Sequence, residues 1–342
     1  MTMLLAKSLR SFTLAAAMTT ALIGCGPTEP TANQVSSDAS ADAPPNAPYV
    51  AVTQIVEHPA LDAVRDGIKD ELAEAGYEDG SSLTWKWESA QGQPATATQI
   101  AQKFVGERPD LIVAIATPSA QAAVATSEDI PIVFSAVTDP VAAELVPSLD
   151  APSALVTGVS DLSPIDQHLA LIKEIIPTVA TIGVVYNAGE ANSVSLVDLI
   201  KAEAPGLELT VVEATVASSA DVATATESLV GKVDVIYVPT DNTVVSALES
   251  VLTVGADNQI PVFAGDTDSV ERGAIAGISF DYYDVGRQTG DMVVRILNGE
   301  QPNEIPVETV ETLQLAVNPA AAATMGVEIP AAVQSRADMV FE

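Results

Sequence analysis

At 342 residues, with 48% apolar, 18% charged and 4% aromatic side chains, the chain is long enough for two ordinary globular domains. Its formal charge of −32, from 14 basic and 46 acidic residues, excludes attraction to nucleic acid or to anionic lipid headgroups. Two histidines and one cysteine are too few for thiolate or imidazole metal sites, disulfide scaffolds or thioredoxin chemistry, so only carboxylate coordination of a hard cation stays open.

Lys7 and Arg10 precede a short apolar run over 12–23, the charged and hydrophobic regions of a secretory signal. The run closes on Leu22-Ile23-Gly24-Cys25, which resembles a bacterial lipobox. That resemblance implies a signal peptide over 1–24 and a mature N-terminus at an acylated, palmitate-bearing Cys25. Residues 25–47 are then a lipidated cysteine and a Pro-, Ser-, Thr- and Ala-rich tether, predicted to be disordered because it has too little apolar surface to bury. No later segment offers the roughly twenty uninterrupted apolar residues of a membrane span. Loss of the leader removes two basic residues and no acid, leaving a still more acidic body held at an external membrane face by acyl chains.

From Tyr49 onward, short β-branched runs alternate with amphipathic stretches, the pattern of βα units around a mainly parallel sheet. Strands are predicted over 49–56, 83–87, 111–116, 132–137 and 154–159. A helix opens at Pro59 and carries Leu61, Val64, Ile68 and Leu72 on one face; others are predicted over 95–105, 119–125 and 141–146. Ser163-Pro164-Ile165-Asp166 then offers a hydroxyl cap, a first-turn proline and a carboxylate, and Ile165, Leu169, Ile172 and Ile176 share a face. The rhythm restarts with strands over 181–186, 207–213, 233–238, 261–264 and 274–280, and helices opening near Asn192, Ala220 and Asn242. A last helix over 283–297 precedes an extended stretch over 307–317 and a tail. The fold class is therefore α/β, with two doubly wound, Rossmann-like lobes.

In such sheets ligands lie beyond the carboxyl ends of the strands. Six polar post-strand segments stand there: 54–61, 117–121, 137–140, 187–193, 239–242 and 265–268. Helix starts among them suit an anion, with Ser119 and Ser193 as hydroxyl donors, whereas Asp139, Glu190, Asp241 and Asp266 suit an ammonium group, so a zwitterion satisfies both sets. Each of these residues alone also reads as an ordinary N-cap or turn former. His58 reads equally as a ligand contact or a local cap, His168 as a surface or packing residue within its helix, and Trp85 and Trp87 as packing residues of one strand.

Three segments of the first half, Gln54-Ile55-Val56-Glu57-His58-Pro59-Ala60-Leu61-Asp62, Ala116-Thr117-Pro118-Ser119-Ala120-Gln121 and Pro131-Ile132-Val133-Phe134-Ser135-Ala136-Val137-Thr138-Asp139-Pro140, together resemble a family of ABC-transporter substrate-binding lipoproteins. Tyr186-Asn187 through Glu190 to Asn192-Ser193, and Tyr237-Val238-Pro239-Thr240-Asp241-Asn242, continue the likeness over almost the whole body. The resemblance implies a type I periplasmic-binding-protein fold that closes on a small ligand, in members similar to this one an amino acid and notably an aromatic one. It implies lobes over 48–160 plus 282–305 and over 161–281 plus 306–342, with crossings near 160–163, 280–284 and 303–307. Carried over residue by residue, it implies ligand roles for Gln54, His58, Thr117, Ser119, Ala120, Thr138, Asp139, Asn187, Glu190, Asn192, Ser193, Thr240, Asp241, Asn242 and Asp266, with Asp281 beside a crossing as an addition.

The implied role is capture of a solute for an ABC permease and its ATPase, by a monomer with no cofactor and no catalysis. Nothing in the sequence supplies an enzyme's nucleophile with a base: there is no Gly-x-Ser-x-Gly elbow and no His-Glu-x-x-His. A ligand-sensing receptor module would use the same cleft, and a nucleoside or sugar would suit the same fold.

Overall fold

A computed structural model describes residues 47–342 and leaves Cys25 and the predicted leader and tether outside the described residues. Proline sets the start of each early helix, because its fixed φ and missing N–H cost nothing in a first turn. The chain runs β1 (Tyr49–Gln54), α1 (Pro59–Glu74), β2 (Thr84–Ser89), α2 (Pro94–Glu107), β3 (Leu111–Ile115), α3 (Thr117–Thr126), β4 (Ile132–Ser135) and β5 (Val156–Ser160). It continues with α4 (Ile165–Ile175), β6 (Thr181–Asn187), α5 (Ala191–Glu203), β7 (Thr210–Val216), α6 (Val222–Glu227), β8 (Val235–Val238), α7 (Asn242–Val245), α8 (Leu248–Asn258), β9 (Val262–Ala264), α9 (Thr267–Glu271) and β10 (Ala276–Ser279). The last elements are α10 (Tyr282–Leu297), β11 (Glu308–Thr309), β12 (Gln314–Val317), α11 (Pro319–Thr324), α12 (Ala331–Arg336) and β13 (Met339–Val340).

Six parallel strands form one sheet in the order β11-β5-β4-β3-β1-β2, with Val50 of β1 opposite Trp85 on one side and Leu111 on the other. Its central strands are fully buried and read as unbroken apolar runs, as parallel strands covered on both faces must. Ile68, Leu72, Phe104, Ile112 and Phe134 lie in the core around it, which also takes in residues of α10. A second sheet, β7-β6-β8-β9, is likewise parallel, and a smaller one, β10-β12-β13, continues it through the Ile275 N–H donating to the Val262 carbonyl. Leu169, Ile236, Tyr237 and Phe263 belong to that second core. The two cores define a first and a second lobe, and the α/β class read from the sequence holds in both.

The chain crosses between the lobes after β5, after β10 and after β11. The third crossing lies at 310–313 rather than 303–307, because β11 pairs with β5 and Gln288 and Arg295 of α10 both donate to Glu308. The predicted extended stretch over 307–317 thus serves two sheets, and the tail folds: Asn318 caps α11 through the Ala321 N–H. The predicted helix over 141–146 is a run of turns, since Glu144 adopts a positive φ of 61° that an α-helix cannot accommodate. At Ser163-Pro164 the proline is the N-cap of α4, and the serine hydroxyl pairs with Thr240 Oγ1 at 3.4 Å instead of capping.

Candidate functional site

The carboxyl ends of both parallel sheets face one cleft. His58 stands immediately before α1, extended and with no side-chain cap bond. After β3, Ala116 adopts φ 73° and ψ 154°, a conformation rare outside glycine, and α3 begins directly behind it. Ala136, after β4, has φ 52°. Both strained residues lie at the ends of central strands, where the surrounding core fixes the turn. In the second lobe, carboxylates cap the helices: the Asp241 side chain accepts from the Val244 N–H in α7, and Asp266 accepts from the Ser269 N–H in α9.

A small pocket opens between these strand ends. His58, Thr138, Asn192, Thr240, Asp241, Asn242 and Asp266 line it, all expected from the sequence. Asp161 and Tyr282 line it as well, together with the small apolar surfaces of Ala60, Leu61, Ala136 and Val245, none of which was given a ligand role from the sequence, although Ala60 and Leu61 fall within the post-strand segment 54–61. Asp161 carries the same signal as the others, a polar residue directly after a strand, but stands where the first crossing was expected. Tyr282 follows the second crossing and is reached only through the fold.

Carboxylates dominate the polar wall. Asp241 is fully buried; its Oδ1 accepts from the Val244 N–H at 2.7 Å and its Oδ2 from the Asn187 N–H and the Ser193 hydroxyl, both at 2.6 Å. Burial and the neighbouring charge of Glu190 push its pKa well up from the ordinary carboxylate range. Asp266 accepts from the Ser269 N–H and hydroxyl, both at 2.7 Å, and burial raises its pKa while the Arg272 charge opposes the rise. Asp161 accepts from Thr138 Oγ1 at 3.2 Å and from Tyr282 Oη at 3.1 Å, and burial lifts its pKa to about 6. His58 is pushed the other way, to about 3, by burial and by the positive charge of Arg272. Asn192 Oδ1 and His58 Nδ1 are buried with no hydrogen-bond partner.

The other expected residues do not line this pocket. Thr117, Ser119 and Ala120 form the first turn of α3; all three are buried, and the hydroxyls of Thr117 and Ser119 have no partner. With no side chain capping α3, they stand at an uncompensated helix N-terminus, an arrangement suited to an anion. Ser193 is occupied by Asp241. Asn187 and Glu190 line a wider groove of about 1150 Å³ running out between the lobes, and Glu190 accepts from Asn242 Nδ2 and from the Thr243 N–H and hydroxyl. Gln54 is turned into the first lobe, donating to Asp62 and to the Val56 carbonyl. Asp139 accepts from the Val141 and Ala142 N–H groups, and Asp281 caps α10 through the Tyr283 N–H. Among the described residues no group of three or more potential metal-binding side chains is found.

The family described as ABC transporter substrate binding protein matches residues 49–341. A tyrosine-binding protein of Clostridioides difficile is 42% identical over 269 residues, 79% of this chain and 78% of that one. A domain from Streptococcus pneumoniae solved in complex with L-Trp is 36% identical, with a TM-score of 0.83 over 86% of this chain and 100% of that one. The ligand-free, open structure of a substrate binding protein with adhesive properties from Clostridium difficile is 42% identical but superposes with a TM-score of 0.65, over 86% of this chain and 99% of that one. The chain thus superposes better on the L-Trp complex than on the ligand-free, open structure, despite lower identity to the former. More distant solute binding proteins, bound to 5-methylthioribose or myo-inositol, are 16% identical at TM-scores of 0.56 and 0.58 and share the type I periplasmic-binding-protein fold. A match over nearly the whole described body, with strand ends of both lobes meeting at one pocket, makes this chain a member of the ABC-transporter substrate-binding protein family.

Proposed function

We propose that the ligand this protein captures for its transporter is an aromatic L-amino acid. The observation that carries this reading is the pocket's charge: Asp161, Asp241 and Asp266 are buried on its wall, and no lysine or arginine lines it. A buried carboxylate without a cation is costly, and an ammonium group on the ligand relieves that cost. The unpartnered hydroxyls of Thr117 and Ser119 at the start of α3 suit the α-carboxylate. Tyr282, Leu61 and Val245 give the pocket apolar surface for a side chain. The names of the two relatives above, one tyrosine-binding and one solved with L-Trp, support the aromatic class.

Ligand contacts to both lobes favour the closed arrangement, and the permease distinguishes closed from open. The work is extracytoplasmic, as it is for the family, and involves binding without turnover. Anchoring is through an acylated Cys25, with the protein acting as a monomer.

The test is a thermal-shift screen of the purified protein against amino acids, nucleosides and sugars. Because binding to the folded state raises the melting temperature by mass action, L-tyrosine, L-tryptophan or L-phenylalanine at about a hundred times the dissociation constant adds roughly 2.7 kcal/mol of stability. A shift with nucleosides or sugars alone overturns the amino-acid reading.

A further inference from the structure

The three pocket carboxylates differ in how their acceptor capacity is already used. An ionised carboxylate has room for about four hydrogen bonds. Asp241 receives three short ones, all from its own lobe: a helix cap to Val244, the Asn187 N–H and the Ser193 hydroxyl. It holds α7 and β6 together and has the negative Glu190 as a neighbour. Asp266 is committed to the first turn of α9 through both its oxygens and already has a cation nearby in Arg272. Asp161 is different. It caps no helix, is only 4% exposed, and receives one neutral side-chain donor on each oxygen, at 3.1 and 3.2 Å. No cation acts on it, and burial alone dominates its raised pKa.

Its position adds to this. Asp161 stands on the first crossing between the lobes, and its two donors come from Thr138 in the loop after β4 and from Tyr282 at the second crossing. Two further polar atoms of residues on the same pocket wall, Asn192 Oδ1 and His58 Nδ1, are buried without a hydrogen-bond partner, which leaves them free to pair with a polar ligand.

We propose that Asp161 is the residue that takes the ligand's ammonium group, so that it, rather than Asp241 or Asp266, sets the preference for ligands carrying a primary amine. The assignment rests on the amino-acid reading above. Because the contact falls on a crossing, the ligand's charge is neutralised at the hinge itself, and amine recognition and lobe closure become one event.

The experiment compares wild type, Asp161→Asn and Asp241→Asn in calorimetric titrations with L-tyrosine and with 3-(4-hydroxyphenyl)propionate, which lacks only the amine. Asparagine keeps an oxygen for Tyr282 and Thr138 and removes the charge. Asp161→Asn is expected to weaken L-tyrosine by at least about 30-fold while changing the des-amino compound by less than about threefold. The ligand-free melting temperature of this variant is expected to rise, because an uncompensated buried charge has gone. Asp241→Asn is expected to weaken both compounds alike and to lower the melting temperature. Wild-type affinity for L-tyrosine in Asp161→Asn, or equal loss of both compounds, overturns the assignment and leaves the amino-acid reading standing. Failure of wild type to bind L-tyrosine, L-tryptophan and L-phenylalanine overturns both.

Discussion

His168 is one of two histidines and sits on the buried face of α4, 2% exposed. Its Nδ1 lies 2.5 Å from Tyr237 Oη and its Nε2 2.6 Å from the Ile278 carbonyl, so the neutral ring donates from Nε2 and accepts the tyrosine proton at Nδ1. It ties α4 to β8 and to β10, the strand that leads into the second crossing. Burial lowers its pKa to about 4. The unfolded chain therefore takes up a proton near pH 6.5 that the folded chain refuses until about 4, and stability falls as pH drops through that window. A histidine whose pKa moves from 6.5 to about 4 accounts for roughly 3 kcal/mol of that loss. Replacing His168 by Gln should flatten the acid limb of a urea-denaturation pH series; an unchanged slope would show that other groups carry it. Asp161 works with the opposite sign, since its raised pKa makes the folded state bind its proton first, so its cost is complete above about pH 6 and fades as pH falls toward 4. Asp241→Ala should weaken ligand binding by at least about tenfold and destabilise the protein by about 2 kcal/mol, because three donors lose their acceptor. Unchanged affinity in calorimetry would remove Asp241 from the site.

At the scale of elements, the joint between α1 and α10 governs how the chain returns to the first lobe after its excursion through the second. Gly67 and Gly286 let the two helices touch backbone to backbone: a Cβ on Gly286 would stand 2.2 Å from the Val64 carbonyl oxygen, and one on Gly67 2.2 Å from that of Tyr283. Gly286→Ala should force the helices apart and cost about 1–3 kcal/mol, measurable as a lower urea midpoint; full stability in that variant would mean that the contact relaxes freely. Neither glycine is marked in the sequence as anything but a weak point in an amphipathic repeat. What was legible there was periodicity: proline-started α1, the all-apolar β3 and β4, and the alternation of strand and helix through β10. What was not legible depended on distant partners. β11 belongs to the first lobe only because β5 lies beside it, Ser163 is drawn away from its cap by Thr240, and the turns over 141–146 follow from a positive φ at Glu144 despite helix-like spacing.

For the whole molecule, the same division holds at the site. Post-strand position was enough to select Thr138, Asn192, Thr240, Asp241, Asn242 and Asp266, because the carboxyl ends of parallel strands must converge on one cleft. It was not enough to separate ligand contacts from caps, since Asp139, Asp241, Asp266 and Asp281 all accept from nearby backbone N–H groups in the folded chain. Asp161 and Tyr282 come to the pocket through two crossings that are 121 residues apart in sequence, a relation no local pattern encodes. At the other end of the protein, Cys25→Ser should release the chain from membranes without changing ligand affinity, as fractionation followed by titration would show; continued sedimentation with membranes would refute acylation as the anchor.

The central claim is that the lobes close on an aromatic amino acid. It is tested most directly by titrating the purified protein with L-tyrosine and L-tryptophan while following its radius of gyration by small-angle X-ray scattering. The account predicts saturable binding at one site per chain, with the radius falling in step with occupancy. Saturation with no change in radius, or no binding of either amino acid, would contradict it.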